Sequence, residues 1–287
     1  MTMSARQSGN RTVRIVHLFP DLLNVYGDAG NVRTIVVRSE ARGFAVELSA
    51  VRANAQSVPP ADVLLIGGGQ DREQIAVARE LERLSPEIRH RIRDGASLLA
   101  VCGGYQGLGW SYEASAGTID GPGLLDLRTV AGSDRLVGPV VATPTSAPEA
   151  WRSDRMVIGF ENHAGRTLLG DGARAFAQVE IGHGNNGYDG TEGYLALPGD
   201  GGLGGLRIGT YLHGPFLPRN PHIADALISF GLGRGGPPVP LAELDDREEW
   251  AAHDRFVTRS REHRQREDRV PDGISRIVDP IRSLIGF

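Results

Sequence analysis

Apolar residues in the first hundred positions fall into short uninterrupted runs, separated by longer stretches in which they recur every three or four places. Val13 to Phe19, Ala45 to Ala50, Val63 to Ile66 and Ser97 to Val101 read as strands, and Asn31 to Arg42 and Gln74 to Asp94 as helices. The alternation predicts βαβ units, hence a largely parallel central sheet with flanking helices. Val63-Leu64-Leu65-Ile66 and Leu98-Leu99-Ala100-Val101 carry no polar residue, as central strands covered on both faces should. From about Gly117 to Gly214 the chain breaks into short alternating segments punctuated by Gly, Asn and Asp, which predicts a β-rich second half of the same domain.

Pro221 to Leu232 reads as a helix capped by Asn220, with Pro221 at the first helical position and Gly233 at its end. Gly235-Gly236-Pro237-Pro238 marks a boundary, dividing a domain of residues 12–235 from a helical C-terminal extension of residues 236–287. Residues 241–268 mix both charges and read as helical. The final stretch repeats apolar residues at Ile274, Ile277, Val278, Ile281, Leu284 and Ile285. That amphipathic tail is expected to dock on its own domain, with a partner or a membrane surface as the alternatives.

Composition narrows the chemistry. With 287 residues the chain can bury a substantial core, and 31 basic against 35 acidic residues, net −4, argue against a nucleic-acid partner. All 31 basic residues are arginine. Without lysine there is neither a phosphate-binding G-x-x-x-x-G-K-[ST] loop nor an amine for Schiff-base chemistry. A single cysteine, Cys102, allows no intramolecular disulfide and no C-x-x-C zinc site, so no metal is expected. A polar N-terminus and the lack of an apolar run of about 18 to 20 residues predict a cytoplasmic protein with no transmembrane segment.

Cys102 lies in Leu98-Leu99-Ala100-Val101-Cys102-Gly103-Gly104-Tyr105-Gln106-Gly107, a buried strand running through small residues into a helical pattern. This is the sequence shape of a nucleophile elbow, in which Ala100 and Gly104 leave room for a sharp turn that lifts the thiol above the sheet edge. The backbone amides that follow, beginning with Gly103, would face the sulfur, lower its pKa and serve as donors to an oxyanion. Such a thiol needs a base. His213, in Gly209-Thr210-Tyr211-Leu212-His213-Gly214-Pro215, also stands where an apolar strand stops at a glycine, so the two can converge and share a proton. A third strand ends in Gly67-Gly68-Gly69, whose unhindered amides, those of Gly68 and Gly69 above all, could face a tetrahedral oxyanion. Gln106, one helical turn after Cys102, would bring an amide over the nucleophile to hold a polar substrate.

Together these segments resemble the class I glutamine amidotransferases, in their cobyric-acid-synthase-like branch. The ordered motifs that include Gly27-Asp28-Ala29-Gly30-Asn31, Gly67-Gly68-Gly69-Gln70-Asp71, Gly159-Phe160-Glu161-Asn162-His163, Gly184-Asn185-Asn186-Gly187 and the His213 segment resemble more closely the glutaminase subunits of lipid II isoglutaminyl synthases, over about residues 12–268. The resemblance implies a flavodoxin-like α/β domain with Cys102 as nucleophile, His213 as acid and base, and Arg135 binding glutamine. A guanidinium fork suits the α-carboxylate of L-glutamine. It further implies a MurT-like Mur-ligase partner that carries ATP and Mg and amidates the D-glutamate α-carboxylate of lipid II, with no cofactor in this chain. That work would be done in the cytoplasm near the inner membrane surface. A related amidotransferase for another acceptor, such as a corrinoid carboxylate, and a catalytically idle binding subunit are the alternatives. Many family members carry Glu two residues after the histidine, where this chain has Pro215. The third triad member is therefore open among Asp28, Glu161 and Glu192.

Overall fold

The computed structural model describes residues 11–23, 27–69, 71–114, 117–146, 151 and 155–267. Strand β1 (Thr12–Leu18) is followed by helix α1 (Ala29–Glu40), β2 (Ala45–Val51), β3 (Val63–Ile66), α2 (Asp71–Arg93) and β4 (Ser97–Val101). These strands match the apolar runs. The α2 side chains Val77, Leu81, Leu84, Ile88 and Ile92, spaced three or four apart, are all buried. After β4 comes α3 (Gly103–Gly107), a single turn. The helical pattern expected beyond Cys102 is thus too short to carry much of a helix dipole.

The second half is strand-rich: β5 (Ser111–Ala114), β6 (Gly117–Asp120), β7 (Leu127–Pro144), β8 (Val157–Leu169), β9 (Ala177–Ile181), β10 (Thr191–Glu192), β11 (Tyr194–Ala196) and β12 (Arg207–Thr210). Helices α4 (Phe216–Arg219), α5 (Pro221–Gly233) and α6 (Arg247–Glu267) close the described chain. Two six-stranded sheets result. The first has the order β11-β12-β4-β3-β1-β2 and is parallel except for β11, while the second has the order β10-β9-β7-β5-β6 with β8 paired to β7. The second half therefore does more than complete the first sheet. It supplies that sheet's β11 and β12 and then builds another beside it.

The register of the parallel sheet decides where the chemistry falls. Val101 pairs with Thr210 and Ala100 with Ile66, so β3, β4 and β12 end side by side at one edge. Helix α5 begins with Pro221 as expected, but Asn220 does not cap it through its side chain. The amide instead reaches across to β8, accepting from the Ile158 N–H at 2.9 Å and donating to the Ile158 carbonyl at 2.8 Å. The helix stops on Arg234, which adopts the left-handed conformation at φ 49°, one residue beyond the expected Gly233.

Beyond Gly236 the chain runs back over α1 and α5, tied there by charge. Arg38 grips Asp225 at 2.7 Å and Asp246 at 2.6 Å, and Arg42 adds a 2.7 Å bond to Asp225 and another of 2.7 Å to the Ala242 carbonyl. The amphipathic residues 269–287 lie outside the described residues. Because Arg38 is only 6% exposed, Arg38→Ala would remove a largely buried guanidinium that joins Asp225 to Asp246, leaving Asp225 to Arg42. We expect a loss of about 3 kcal/mol, read as a lower urea midpoint at unchanged slope; an unaltered midpoint would mean that Arg42 alone holds the segment.

Candidate active site

Cys102 sits at the end of β4 with φ 47° and ψ −107°, a conformation that side-chain-bearing residues avoid. The neighbouring glycine makes it possible: a β-carbon at Gly104 would fall 2.8 Å from the Gly67 carbonyl oxygen and 2.8 Å from Ile66 Cγ1. Two backbone bonds pin the elbow, from the Cys102 N–H to Thr210 O at 2.9 Å and from the Gly104 N–H to Gly67 O at 3.0 Å. The expected elbow is present, and its side chain is 5% exposed.

Cys102 and His213 meet across Gly68. A β-carbon on that glycine would stand 3.1 Å from His213 Cε1, 3.2 Å from Cys102 Cβ and 3.8 Å from Asp28 Oδ2. Backbone bonds in both directions join His213 to Phe160 of β8, at 2.8 and 3.2 Å, so the histidine is held by both sheets. Burial pushes its pKa down to about 4, helped by the charges of His163 and Arg135. A neutral imidazole is thereby the resting form near pH 7, able to accept a proton.

Of the three expected oxyanion donors, Gly68 is a correction. Its N–H already donates to Asp28 Oδ2 at 2.9 Å, so that amide is committed away from any substrate oxygen. Gly103 is the first residue of α3, where an amide has no acceptor within the helix. Gly69 is pressed against Leu22 and Leu23. Gln106 is a second departure: it lies one turn beyond Cys102 as expected, but its side-chain amide donates to the Tyr211 hydroxyl at 3.0 Å inside the protein. That hydroxyl also meets Thr167 Oγ1 at 2.7 Å, which in turn meets Thr129 Oγ1 at 2.9 Å.

The three carboxylates proposed for the triad are engaged as follows. Glu161 accepts from the His183 and Gly184 amides at 2.7 and 2.9 Å and stands 3.4 Å from His163 Nε2. Glu192 accepts from the Thr210 hydroxyl at 2.6 Å and the Tyr211 N–H at 2.9 Å, and burial raises its pKa to about 7. Asp28, 4% exposed, lies against Gly68, and burial raises its pKa to about 6 despite the Gly68 bond. Arg135 is on β7 beside the register shift between Ala131 and Leu136, exposed, and donates to Asn162 Oδ1 at 2.9 Å and Asn162 O at 3.0 Å. Its charge adds, after burial and His163, to the lowered pKa of His213.

Tyr211 and His163 are residues that the sequence reading did not single out. Their rings stack at 3.6 Å and 6°, beside the nucleophile, and Cys102 contributes to the raised pKa of Tyr211 after the larger effect of burial. Both belong to the ordered motifs, which was the available signal.

A strained thiol, a buried imidazole and glycine loops at one sheet edge define a cysteine amidotransferase site, and the chain belongs to the CobB/CobQ-like glutamine amidotransferase domain family, whose model matches residues 14–221. It is 35% identical over 263 residues to the subunit GatD of lipid II isoglutaminyl synthase (glutamine-hydrolyzing) from Staphylococcus aureus (strain N315), covering 89% of this chain and 98% of that one. It is 32% identical to the Streptococcus pneumoniae (strain ATCC BAA-255 / R6) GatD, covering 82% and 86%. Similarity to the cobyric acid synthase of Jannaschia sp. (strain CCS1), at 34%, covers 60% of this chain but only 33% of that one.

The backbone at Cys102 generates a stability prediction. Glycine accepts positive φ without strain, whereas alanine keeps the strain and loses the thiol. Cys102→Gly should therefore exceed Cys102→Ala in unfolding free energy by about 1 kcal/mol, after the entropy that glycine adds to the unfolded chain. Equal stabilities in urea titrations would show that the elbow stores no strain.

Proposed function

We propose that this chain is the glutaminase subunit of a lipid II isoglutaminyl synthase. The observation that carries the reading is that Cys102 and His213 come together beside Gly68, both within 3.2 Å of where its β-carbon would stand. The acceptor is supported by the similarity to the two GatD proteins, most of whose length this chain spans. L-glutamine would enter with its α-carboxylate against Arg135. The Cys102 thiol adds to the side-chain amide carbon as its proton passes to His213. Collapse of the tetrahedral adduct then breaks the C–N bond, and His213 returns the proton to the departing ammonia. Water, deprotonated by His213, cleaves the resulting thioester to glutamate and frees the thiol.

The ammonia would serve a MurT-like Mur-ligase partner that uses ATP and Mg to activate the D-glutamate α-carboxylate of the lipid II stem peptide. The chain has no lysine for a phosphate loop, which fits this division of labour. We place the complex in the cytoplasm, at the inner membrane surface through its lipid-linked substrate. Among the described residues no helix is long and apolar enough to cross a membrane.

Four measurements test the reading. Cys102→Ala should lose glutamine hydrolysis, and wild type should take one equivalent of 6-diazo-5-oxo-L-norleucine, seen as a single mass adduct on its sole cysteine. ATP-dependent amidation of lipid II should appear only with the Mur-ligase-like partner present; amidation by this chain alone, or of a corrinoid acid in preference, would refute the assignment. Arg135→Ala should raise KM for glutamine roughly ten- to a hundredfold, the worth of about 1.5 to 3 kcal/mol for a hydrogen bond to a charged group. Arg135→Lys should recover part of the loss, since it keeps the charge without the fork. Unchanged kinetics in Arg135→Ala would mean that the carboxylate is held elsewhere.

A further inference from the structure

The motif Gly27-Asp28-Ala29-Gly30-Asn31 supplies no group to the chemistry above, yet its first helical turn touches both loops that carry it. On one side, Asp28 accepts the Gly68 N–H at 2.9 Å, and a β-carbon on Gly67 would fall 2.7 Å from Asp28 Oδ2 and 2.8 Å from Asp28 Cβ. On the other, a β-carbon on Gly30 would fall 2.5 Å from Pro215 Cγ, two residues after His213. Asn31, 2% exposed, accepts the Leu217 N–H on its Oδ1 at 2.8 Å. The loop after β3 and the turn after His213 are thus braced against the same end of α1.

We propose that Asp28 is a positioning residue for glutamine hydrolysis: its carboxylate anchors Gly68 to the start of α1, and through Gly30 and Asn31 the same turn sets the spacing between the glycine loop and His213. Three features support this role. A carboxylate this deeply buried is costly unless donors compensate it, and here the shorter bond comes from the Gly68 amide at 2.9 Å, with Asn31 Nδ2 on the other oxygen at 3.5 Å. Three glycines in succession have little conformational preference of their own, so a fixed loop requires an external anchor. Gly68 also leaves no room for a side chain, since a β-carbon there would stand 3.1 Å from His213 Cε1 and 3.2 Å from Cys102 Cβ. With its amide turned to Asp28, the donors left for the oxyanion are Gly69 and Gly103.

The inference rests on the glutaminase reading, and steady-state glutamine hydrolysis by the full chain with its synthetase partner tests it. Asp28→Ala removes the anchor and should lower kcat at least tenfold with KM within about threefold, because substrate binding at Arg135 is untouched while oxyanion donors are typically worth about 10² to 10³ in rate. Asp28→Asn keeps an oxygen that can accept the same N–H and should retain most of the turnover. Gly30→Ala, which leaves Asp28 in place but pushes on Pro215, should also lower kcat, and it keeps the test open if Asp28→Ala does not fold. Alkylation of Cys102 by iodoacetamide needs no oxyanion, so its rate should stay within about twofold of wild type in each folded variant. Full turnover in both Asp28→Ala and Gly30→Ala would overturn the inference, as would an Asp28→Asn variant as slow as the alanine, which would make the charge itself the requirement. A wild-type chain that neither hydrolyses glutamine nor reacts with the diazo analogue would overturn the glutaminase reading instead.

Discussion

The backbone of Cys102 is the constraint on which the rest of the site depends. A positive φ on a residue with a side chain persists only where the surroundings over-determine it. Here they do so from three sides: β3 and β12 clamp β4 in register, the Cys102 amide is bonded to Thr210 O, and Gly104 is seated against Gly67 O. Gly209 extends the arrangement, since a β-carbon there would strike the Tyr105 ring at 2.2 Å. That contact lets α3 lie across β12 immediately after the elbow. The strain and the tight packing are therefore one design, in which small residues on three neighbouring segments hold the buried thiol at the sheet edge beside His213.

The second sheet matters because it holds what the first sheet cannot. β7 and β8 are 18 and 13 residues long, much longer than the strands of the parallel sheet, and they carry Arg135, Asn162 and His163 to the strand ends of their neighbour. The two-way bond between Phe160 and His213 is where the two sheets are joined at the site. His213 is consequently fixed by a strand residue 53 positions earlier in the chain as well as by the end of β12. Its low basicity follows from that enclosure, since burial is the first cause of the depression.

Much of this was legible from the sequence, for physical reasons that differ by element. Uninterrupted apolar runs marked β3 and β4, because a strand covered on both faces leaves no polar position to confuse the pattern. Cys102 and His213 were legible because each follows such a run and meets glycine. The fate of individual donors was not legible. Gly68 loses its amide to a carboxylate 40 residues away, and the Gln106 side chain bonds Tyr211 at a separation of 105. Neither partner can be read from local spacing. The short turn of α3 was concealed for a related reason: Gly103, Gly104, Tyr105, Gln106 and Gly107 suit a helix start, but the three glycines give it little helical preference of its own.

Arg135 and His213 are coupled in a way that bears on the order of events. After burial and His163, the guanidinium charge is one of the influences that hold the imidazole basicity down. If Arg135 pairs with the α-carboxylate of glutamine, as proposed, its positive field at His213 is largely cancelled by the negative charge it has captured. Binding then removes one obstacle to protonating His213, and the histidine becomes a better acceptor for the thiol proton when the amide carbon is in place. The burial that remains still favours the neutral ring, so the proton is held only transiently and is readily passed on to the leaving ammonia. On that proposal, one arginine would both hold the substrate carboxylate and raise the readiness of the base, without touching the reacting atoms.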